Sequence, residues 1–266
     1  MDVSIILVTY NTLSMTTECI KSILEFTKDV SFEIILVDNA SHDGSKDYFE
    51  KCPKIKYIYN NNNQGFGVAN NIAMKYAHGR NVLFLNTDTL LNNNAVKILS
   101  DFLDGHPQAG GCGGNLYDAN GLPSYSFCKW FPSIKEQLDC LTHRVISRIL
   151  FLGNFCFNKT KRIMEVAYVT GADLMVKREV LDECGFFDPR FFLYFEETEL
   201  CYRIRRGGYK LFSVPEAEIT HFGGSTVKRV NIQNREYYSE SRNRFFELTG
   251  RSGIYLKVVD FLAKFC

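Results

Sequence analysis

Apolar residues in the first hundred positions fall in short runs, separated by stretches in which they recur every three to four residues. Val3 to Thr9, Glu33 to Asp38, Lys56 to Tyr59 and Val82 to Leu85 read as strands. Val82-Leu83-Phe84-Leu85 has no polar alternation, which suits a strand covered on both faces, as in a parallel sheet. Thr16 to Phe26, a short segment from Ser45, Val68 to Ala77 and Asn94 to Leu103 have helical spacing. A turn at Asn39 to Gly44 and a polar loop at Asn60 to Gly67 separate them. Strands alternating with helices predict βαβ units around a mainly parallel sheet. Right-handed crossovers then set the loops after Thr9, Asp38 and Leu85 along one rim, the edge where such sheets hold ligands.

The second half is less periodic. Gly105 to Lys161 contains Gly110-Gly-Cys-Gly-Gly114, the single Trp130 and an apolar-basic segment, Leu138 to Phe157. That segment reads either as a helix over an acceptor site or as one resting against a membrane. Beyond it, Tyr168 to Val176 predicts a strand, Arg178 to Cys184 a helix and Tyr209 to Val214 a strand. Ile254 to Cys266 is amphipathic with Lys257 and Lys264 among its apolar residues. It reads as a docking helix, with a membrane-surface helix as the alternative.

Composition narrows the classes. A chain of 266 residues with 45% hydrophobic and 23% charged residues can bury one large core with a small C-terminal appendage. The net charge of +1 gives no footprint for nucleic acid. Nine cysteines without a C-x-x-C pair, and a core-like strand directly after Met1-Asp2, point to reduced thiols in a cytoplasm. No run approaches the roughly 18 apolar residues that a membrane span needs. Neither G-x-G-x-x-G nor G-x-x-x-x-G-K-[ST] occurs, which argues against a dehydrogenase and a P-loop NTPase.

The polar residues closing the strands carry the candidate chemistry. Asp88, in Asn86-Thr87-Asp88, would emerge at the carboxyl end of its strand, where a carboxylate can hold a divalent cation against a phosphorylated ligand; the same residue would serve as a helix cap or turn. Thr9, Tyr10, Asn11 and Asp38 close neighbouring strands; an Asp there can bind a ribose hydroxyl or a base N–H, and Tyr10 can stack on a base. Gly65 and Gly67, in Asn63-Gln-Gly-Phe-Gly67, open a helix bearing Asn70 and allow close backbone approach; turn formation explains them equally well. Phe191 to Phe195 delivers Glu196, Glu197 and Glu199 at a helix start, where acids suit the dipole but could also serve as a general base. His221 could be a ligand or structural. Arg242 and Arg244 could clamp a diphosphate or lie in solvent.

In order, these strings resemble the family 2 glycosyltransferases, inverting enzymes of the GT-A fold, and within them the rhamnosyltransferase-like branch of bacterial surface-polysaccharide synthesis. The resemblance rests on Val3 to Asn11, Ile35 to Ser41, Asn63 to Gly67 with Asn70-Asn71, and Phe84 to Asp88. It continues through Thr170-Gly171-Ala172, Phe187 to Phe191, Phe195-Glu196-Glu197 and His221 to Ser225. It implies an α/β GT-A domain over residues 1–227, with a nucleotide-sugar half at 1–104, an acceptor and catalytic half at 105–227, and a helical extension at 228–266. It implies a donor pocket from Thr9, Tyr10, Asn11, Asp38, Gly65, Asn70, Asn86 and Thr87, with Arg242 and Arg244 on the diphosphate. Asp88 and His221 would hold Mg²⁺ or Mn²⁺, and Glu197 would be the base with Glu196 in reserve. Asn86 replaces the first Asp of the family's D-x-D, and Glu196-Glu197 its usual Glu-Asp. The implied partners are a dTDP- or UDP-linked sugar and a glycan or polyprenyl-linked acceptor, met in the cytoplasm or at the inner face of the plasma membrane through a peripheral contact. The alternatives are a non-catalytic sugar-nucleotide-binding module of this fold and, more remotely, a nucleotidyltransferase; the latter would want Arg and Lys near Thr9 to Thr12.

Overall fold

The computed structural model describes residues 1–223, 233–251 and 253–263. A mixed nine-stranded sheet forms its centre. Strands β1 (Val3–Thr9), β2 (Phe32–Asp38), β3 (Lys56–Tyr59) and β4 (Asn81–Asn86) run parallel in the order β3-β2-β1-β4, with α1 (Leu13–Phe26), α2 (Ser45–Phe49) and α3 (Phe66–Met74) in the connections. The sheet continues through β10 (Asp173–Lys177), β6 (Ala109–Tyr117), β11 (Lys210–His221) and β5 (Thr89–Leu91), and β8 (Met164–Val166) pairs with β11. β10 lies antiparallel to both β4 and β6. Helices α4 (Ala95–Gly105), α7 (Arg178–Cys184) and α8 (Glu196–Arg206) complete this body. β7 (Phe127–Cys128) and β9 (Tyr168–Val169) form a separate pair, and α5 (Ile134–Leu141), α6 (Val145–Leu150), α9 (Gln233–Leu248) and α10 (Ile254–Ala263) lie outside the sheet order. None of the described helices is long and apolar enough to cross a membrane.

The unbroken apolar runs serve two faces at once. Ile5, Leu7, Leu83 and Leu85 pack with α1 and α4 residues on one side, while Ile6, Val82 and Phe84 pack with α3, α7 and α8 residues on the other. A third cluster joins Phe191 and Phe195 to Phe245, Phe246 and Val259 of α9 and α10. Helix α10 thus docks, with Val259 buried against aromatic rings.

Three expectations change. The irregular stretch after Gly105 contains β6, a fully interior strand whose glycines hid its periodicity. A Cβ at Gly113 would stand 2.3 Å from Val169 Cγ1, and one at Gly114 would stand 2.4 Å from Ala217 O, so neighbouring strands occupy the space. The single strand expected over Tyr168 to Val176 is broken at Thr170–Ala172, with its halves in different sheets. The strand expected to end at Val214 runs on to His221, passing Pro215 where the pairing register with β6 shifts between Ser213 and Glu218. The end of the His221 motif, Gly224-Ser225-Thr226, lies outside the described residues.

Gly65 ties the two halves together. It has φ +84°, and a Cβ there would sit 2.4 Å from Phe192 O, while Phe66 N–H donates to that carbonyl at 3.0 Å. Gly65→Ala is expected to destabilise folding by about 1–3 kcal/mol through overpacking and backbone strain. Gly105→Ala, with nothing within 4 Å, is expected to be neutral or stabilising by up to about 1 kcal/mol. Urea unfolding of both variants checks the contrast.

Candidate active site

The ends of β1, β2 and β4 are level, with Thr9 opposite Asp38 and Val8 opposite Asn86. Thr9 Oγ1 lies 3.0 Å from the hydroxyls of both Thr12 and Thr16, and Thr12 Oγ1 lies 3.3 Å from that of Thr87. Asn11, at φ +56°, joins the neighbouring loop: its N–H donates to Ser41 Oγ at 2.9 Å and its Oδ1 accepts from His42 N–H at 2.7 Å. Asp38 is fully buried, accepting from Ser41 N–H at 2.8 Å and from the Tyr57 hydroxyl at 2.7 Å. Burial and the Asp38 carboxylate both push the Tyr57 phenol up, which keeps it a donor. Thr9 and Asp38 therefore form the wall of this rim, and Tyr10, 39% exposed, stands at its surface.

The turn after β4 crosses towards β5, whose pairing sets Thr89 opposite His221. Asp88 Oδ1 and His221 Nε2 come within 3.2 Å, and Phe222 N–H donates to Asp88 O at 2.9 Å. Asn86 Nδ2 lies 3.5 Å from the same His nitrogen, and Asn86 N–H donates to Ala172 O at 3.0 Å. Among the described residues no three acidic, His or Cys side chains gather as a cation cage. One carboxylate and one imidazole nonetheless fit a cation that draws its other ligands from substrate phosphates and water, as Mg²⁺ sites usually do, and the imidazole is congenial to Mn²⁺.

The start of α8 meets the residues just before β10, whose Ala172 O holds the Asn86 N–H. Tyr194 (φ +68°) and Phe195 (φ +65°) are two successive left-handed residues, a costly turn held by the aromatic cluster around Phe191 and Phe245. The three acids that follow differ sharply. Glu199 is taken up by Arg203 in a two-pronged contact of 2.7 and 2.8 Å. Glu196 is 5% exposed and its Oε2 has no hydrogen-bond partner; burial, then the charge of Glu197, pushes its carboxyl well above the usual range. Glu197 is partly exposed, receives the Thr198 hydroxyl at 3.1 Å, and is also raised by burial. Gly171 faces it so closely that a Cβ there would lie 3.5 Å from Glu197 Cγ.

Residues 4–185 match the glycosyl transferase family 2 description. The chain belongs to that family. Among its relatives, the low-salt glycan biosynthesis hexosyltransferase Agl10 of Haloferax volcanii is 24% identical over 97% of this chain and 78% of its own length. The dTDP-rhamnosyl transferase RfbF of Shigella flexneri is also 24% identical, over 91% of this chain and 78% of its own. In fold, the chain resembles the mannosyltransferase PcManGT from Pyrobaculum calidifontis, solved with GDP-Man and Mn²⁺ (TM-score 0.61, 19% identity, 98% of this chain and 69% of that one). It also resembles GalNAc-T7, solved with UDP, GalNAc and Mn²⁺ (TM-score 0.62, 18% identity, 83% of this chain and 43% of that one). These are GT-A proteins, and the mixed sheet described above is the same architecture.

Within this family 2 glycosyltransferase, several expected donor contacts turn inward. Asn70 Nδ2 donates to Phe66 O at 2.9 Å in its own helix and its Oδ1 is buried without a partner. The close approach at Gly65 is made by the Phe192 backbone. Arg242 pairs with Asp260 of α10, an ion pair between the two C-terminal helices. Arg244 is half-buried on the same helix.

Sequence reasoning passed over Asp173. It opens β10, is fully buried, accepts Gly114 N–H at 2.6 Å through Oδ2, and leaves Oδ1 without a partner. Its signal was an acid heading an apolar strand directly after Thr170-Gly171-Ala172. Burial raises its pKa from 3.8 to about 7. A carboxyl raised on folding favours the native state while protonated; that contribution is whole below about pH 4 and lost as pH rises to about 7. Asp173→Asn keeps an acceptor for Gly114. Its stability relative to wild type is expected to rise between about pH 4 and pH 7 by on the order of 3 kcal/mol, read from urea midpoints.

Proposed function

We propose that this enzyme is an inverting glycosyltransferase that moves a hexose, with rhamnose as the first candidate, from a nucleoside-diphosphate sugar to a hydroxyl of a glycan or lipid-linked saccharide. The observation that carries this reading is the separation of the three acids of α8. Glu197 alone of them is partly exposed and free of an arginine partner, and it stands against Gly171 at the sheet edge. Its oxygen takes the acceptor proton as the acceptor oxygen bonds to the anomeric carbon. The bond from that carbon to the diphosphate breaks on the opposite face and the diphosphate leaves with the electron pair. A single carboxylate suffices because the leaving group needs charge neutralisation rather than a proton, unlike the paired acids of an inverting glycosidase. Neutralising that charge is the chemistry supplied by a divalent cation, Mg²⁺ or Mn²⁺, which Asp88 and His221 would hold. Burial, then the charge of Glu197, raises the Glu196 carboxyl, which disfavours a second negative charge beside Glu197.

The donor side follows from the rim of β1, β2 and β4. Tyr10 stacks on the base, Asn11 and Thr87 line the pocket, and Thr9 and Asp38 keep its wall in shape. Residues 1–104 thus serve the donor and 105–227 the acceptor and the base, while α9 and α10 pack on Phe191 and Phe195 at the start of α8. RfbF is named for dTDP-rhamnosyl transfer, and a relative from Mycobacterium tuberculosis, 24% identical over 74% of this chain, is named as an N-acetylglucosaminyl-diphospho-decaprenol L-rhamnosyltransferase. The first name favours a dTDP-linked donor over a UDP-linked one and the second a polyprenyl-linked acceptor, for which the enzyme would work at the inner membrane face.

Glu197→Gln is expected to lower kcat by about 10²–10⁴ with donor KM little changed, measured as diphosphonucleoside release. Because burial raises the Glu197 carboxyl, wild-type kcat should fall on acidification at a pH above the ordinary carboxylate range and stay level above it. EDTA and Asp88→Ala should each abolish metal-dependent donor turnover. Sugar-nucleotide binding without transfer by wild type, over a panel of donors and acceptors, would support the non-catalytic module instead.

A further inference from the structure

Helix α6 is built the wrong way round for a surface that stays in water. Its one hydroxyl residue, Ser147, is fully buried, its N–H donating to Asp139 Oδ1 at 2.8 Å and its Oγ to Arg144 O at 3.1 Å. Val145, Ile146, Ile149 and Leu150 face outward at 47, 43, 70 and 58% exposure, and Leu152 in the following turn reaches 84%. Single exposed aliphatics need no explanation, but five within eight residues do. Nor can the segment simply turn over. Asp139 fixes it from below, and Trp130, Phe151 and Phe155 pack beneath it with ring centroids 5.2–5.8 Å apart.

The chain through this patch carries one sign of charge, although Arg144 faces Glu136 of α5. Between residues 140 and 164 there are five Lys or Arg and no Asp or Glu. Arg144, Arg148, Lys159, Lys161 and Arg162 are all exposed. A cleft of 510 Å³ that shares Phe151 with this segment adds Lys129, Lys135, Arg205 and Arg251, and its one acid, Glu165, is paired with Arg205 and Lys210. An aliphatic centre ringed by cations complements an anionic bilayer, where aliphatics enter the acyl boundary and cations meet phosphates. A second copy of the chain would fit poorly, since a two-fold contact through this patch would set its cations against themselves.

We propose that α6 and the exposed residues from Leu152 to Ile163 form a membrane-docking surface for anionic lipid. Val145, Ile146, Ile149, Leu150 and Leu152 enter the head-group boundary, and Arg148, Lys159, Lys161 and Arg162 bind lipid phosphates. The docking adds a location to the reading of a lipid-linked acceptor and rests on it only for why the enzyme should be there. Its test involves no transfer, so either can fail alone.

The test is flotation of the full chain with vesicles of phosphatidylcholine alone or of phosphatidylcholine with phosphatidylglycerol. Wild type should float with the anionic vesicles and much less with the neutral ones. Ile149→Glu with Leu152→Glu should weaken binding more than about tenfold, and Arg148→Gln and Lys161→Gln about fivefold each. All these side chains are exposed, so unchanged thermal melts verify folding. Wild type that stays unbound, equal flotation on both vesicle types, or binding unaltered in either set of variants overturns the proposal. A wild-type dimer that the Ile149/Leu152 variant converts to monomer, without flotation, assigns the patch to self-association and overturns it as well.

Discussion

β10 runs antiparallel between β4 and β6, with Asp173 opposite Leu85 and Lys177 opposite Asn81. Because of that reversal, the residues just before β10 arrive at the carboxyl edge of β4, where the ligand rim lies. Ala172 O takes the Asn86 N–H, Gly171 meets Glu197, and Asp173 lies beneath both. At its other end β10 delivers Lys177 Nζ to His106 O and the Arg178 guanidinium to the carbonyls of Gly79 and Ala77, closing the edge away from the rim. A parallel β10 would carry Gly171 to that far edge. Two glycines of β6 are the counterpart of this insertion, since a Cβ at Gly111 would meet Met175 of β10 and one at Gly113 would meet Val169 and Asp173.

Electrostatics divides the acids of the molecule into two populations. Arg190 beside Asp188 and Arg80 beside Asp104 hold those carboxyls low on the exterior. At the site, burial raises Glu196, Glu197 and Asp173, and none of the three has an arginine or lysine partner among the described ion pairs. Burying carboxyls this way costs folding free energy, the more so where Glu196 Oε2 and Asp173 Oδ1 go unpartnered. Such acids gather where proton transfer is useful, as an exposed, arginine-paired acid would be too weak a base near neutral pH. The left-handed pair Tyr194–Phe195 is a second local cost at the same place, and the Phe191, Phe245 and Phe246 packing offsets it.

How much could be read from the sequence depended on whether the deciding contact was local. The continuous apolar run of β4 announced a sheet covered on both faces, and the alternation of elements gave the parallel first half. The long-range partners were not legible. Gly110 to Gly114 carries no side-chain period, because its burial is dictated by Ile204, Tyr209, Met175, Val169 and Ala217 from elsewhere in the chain. Thr170-Gly171-Ala172 gives no local sign that a strand changes sheets there. The partner of Arg242, Asp260, likewise comes from the next helix. At the site, the order of motifs named Asp88, His221 and Glu197, but only folding showed Glu199 held by Arg203 and Glu196 closed off from solvent. The apolar-basic composition around Ile146 to Leu152 was visible from the start, whereas the burial of Ser147 in place of its aliphatic neighbours was not.

The account rests on donor and base occupying opposite ends of one edge. The most direct test is anomalous scattering from crystals soaked with Mn²⁺ and a nucleoside diphosphate. The account predicts one strong manganese peak between the Asp88 carboxylate and the His221 imidazole, with the diphosphate on it, the base beside Tyr10, and no metal at the start of α8. A peak coordinated by Glu196, Glu197 or Asp173, or a nucleotide bound away from the ends of β1, β2 and β4, would contradict it.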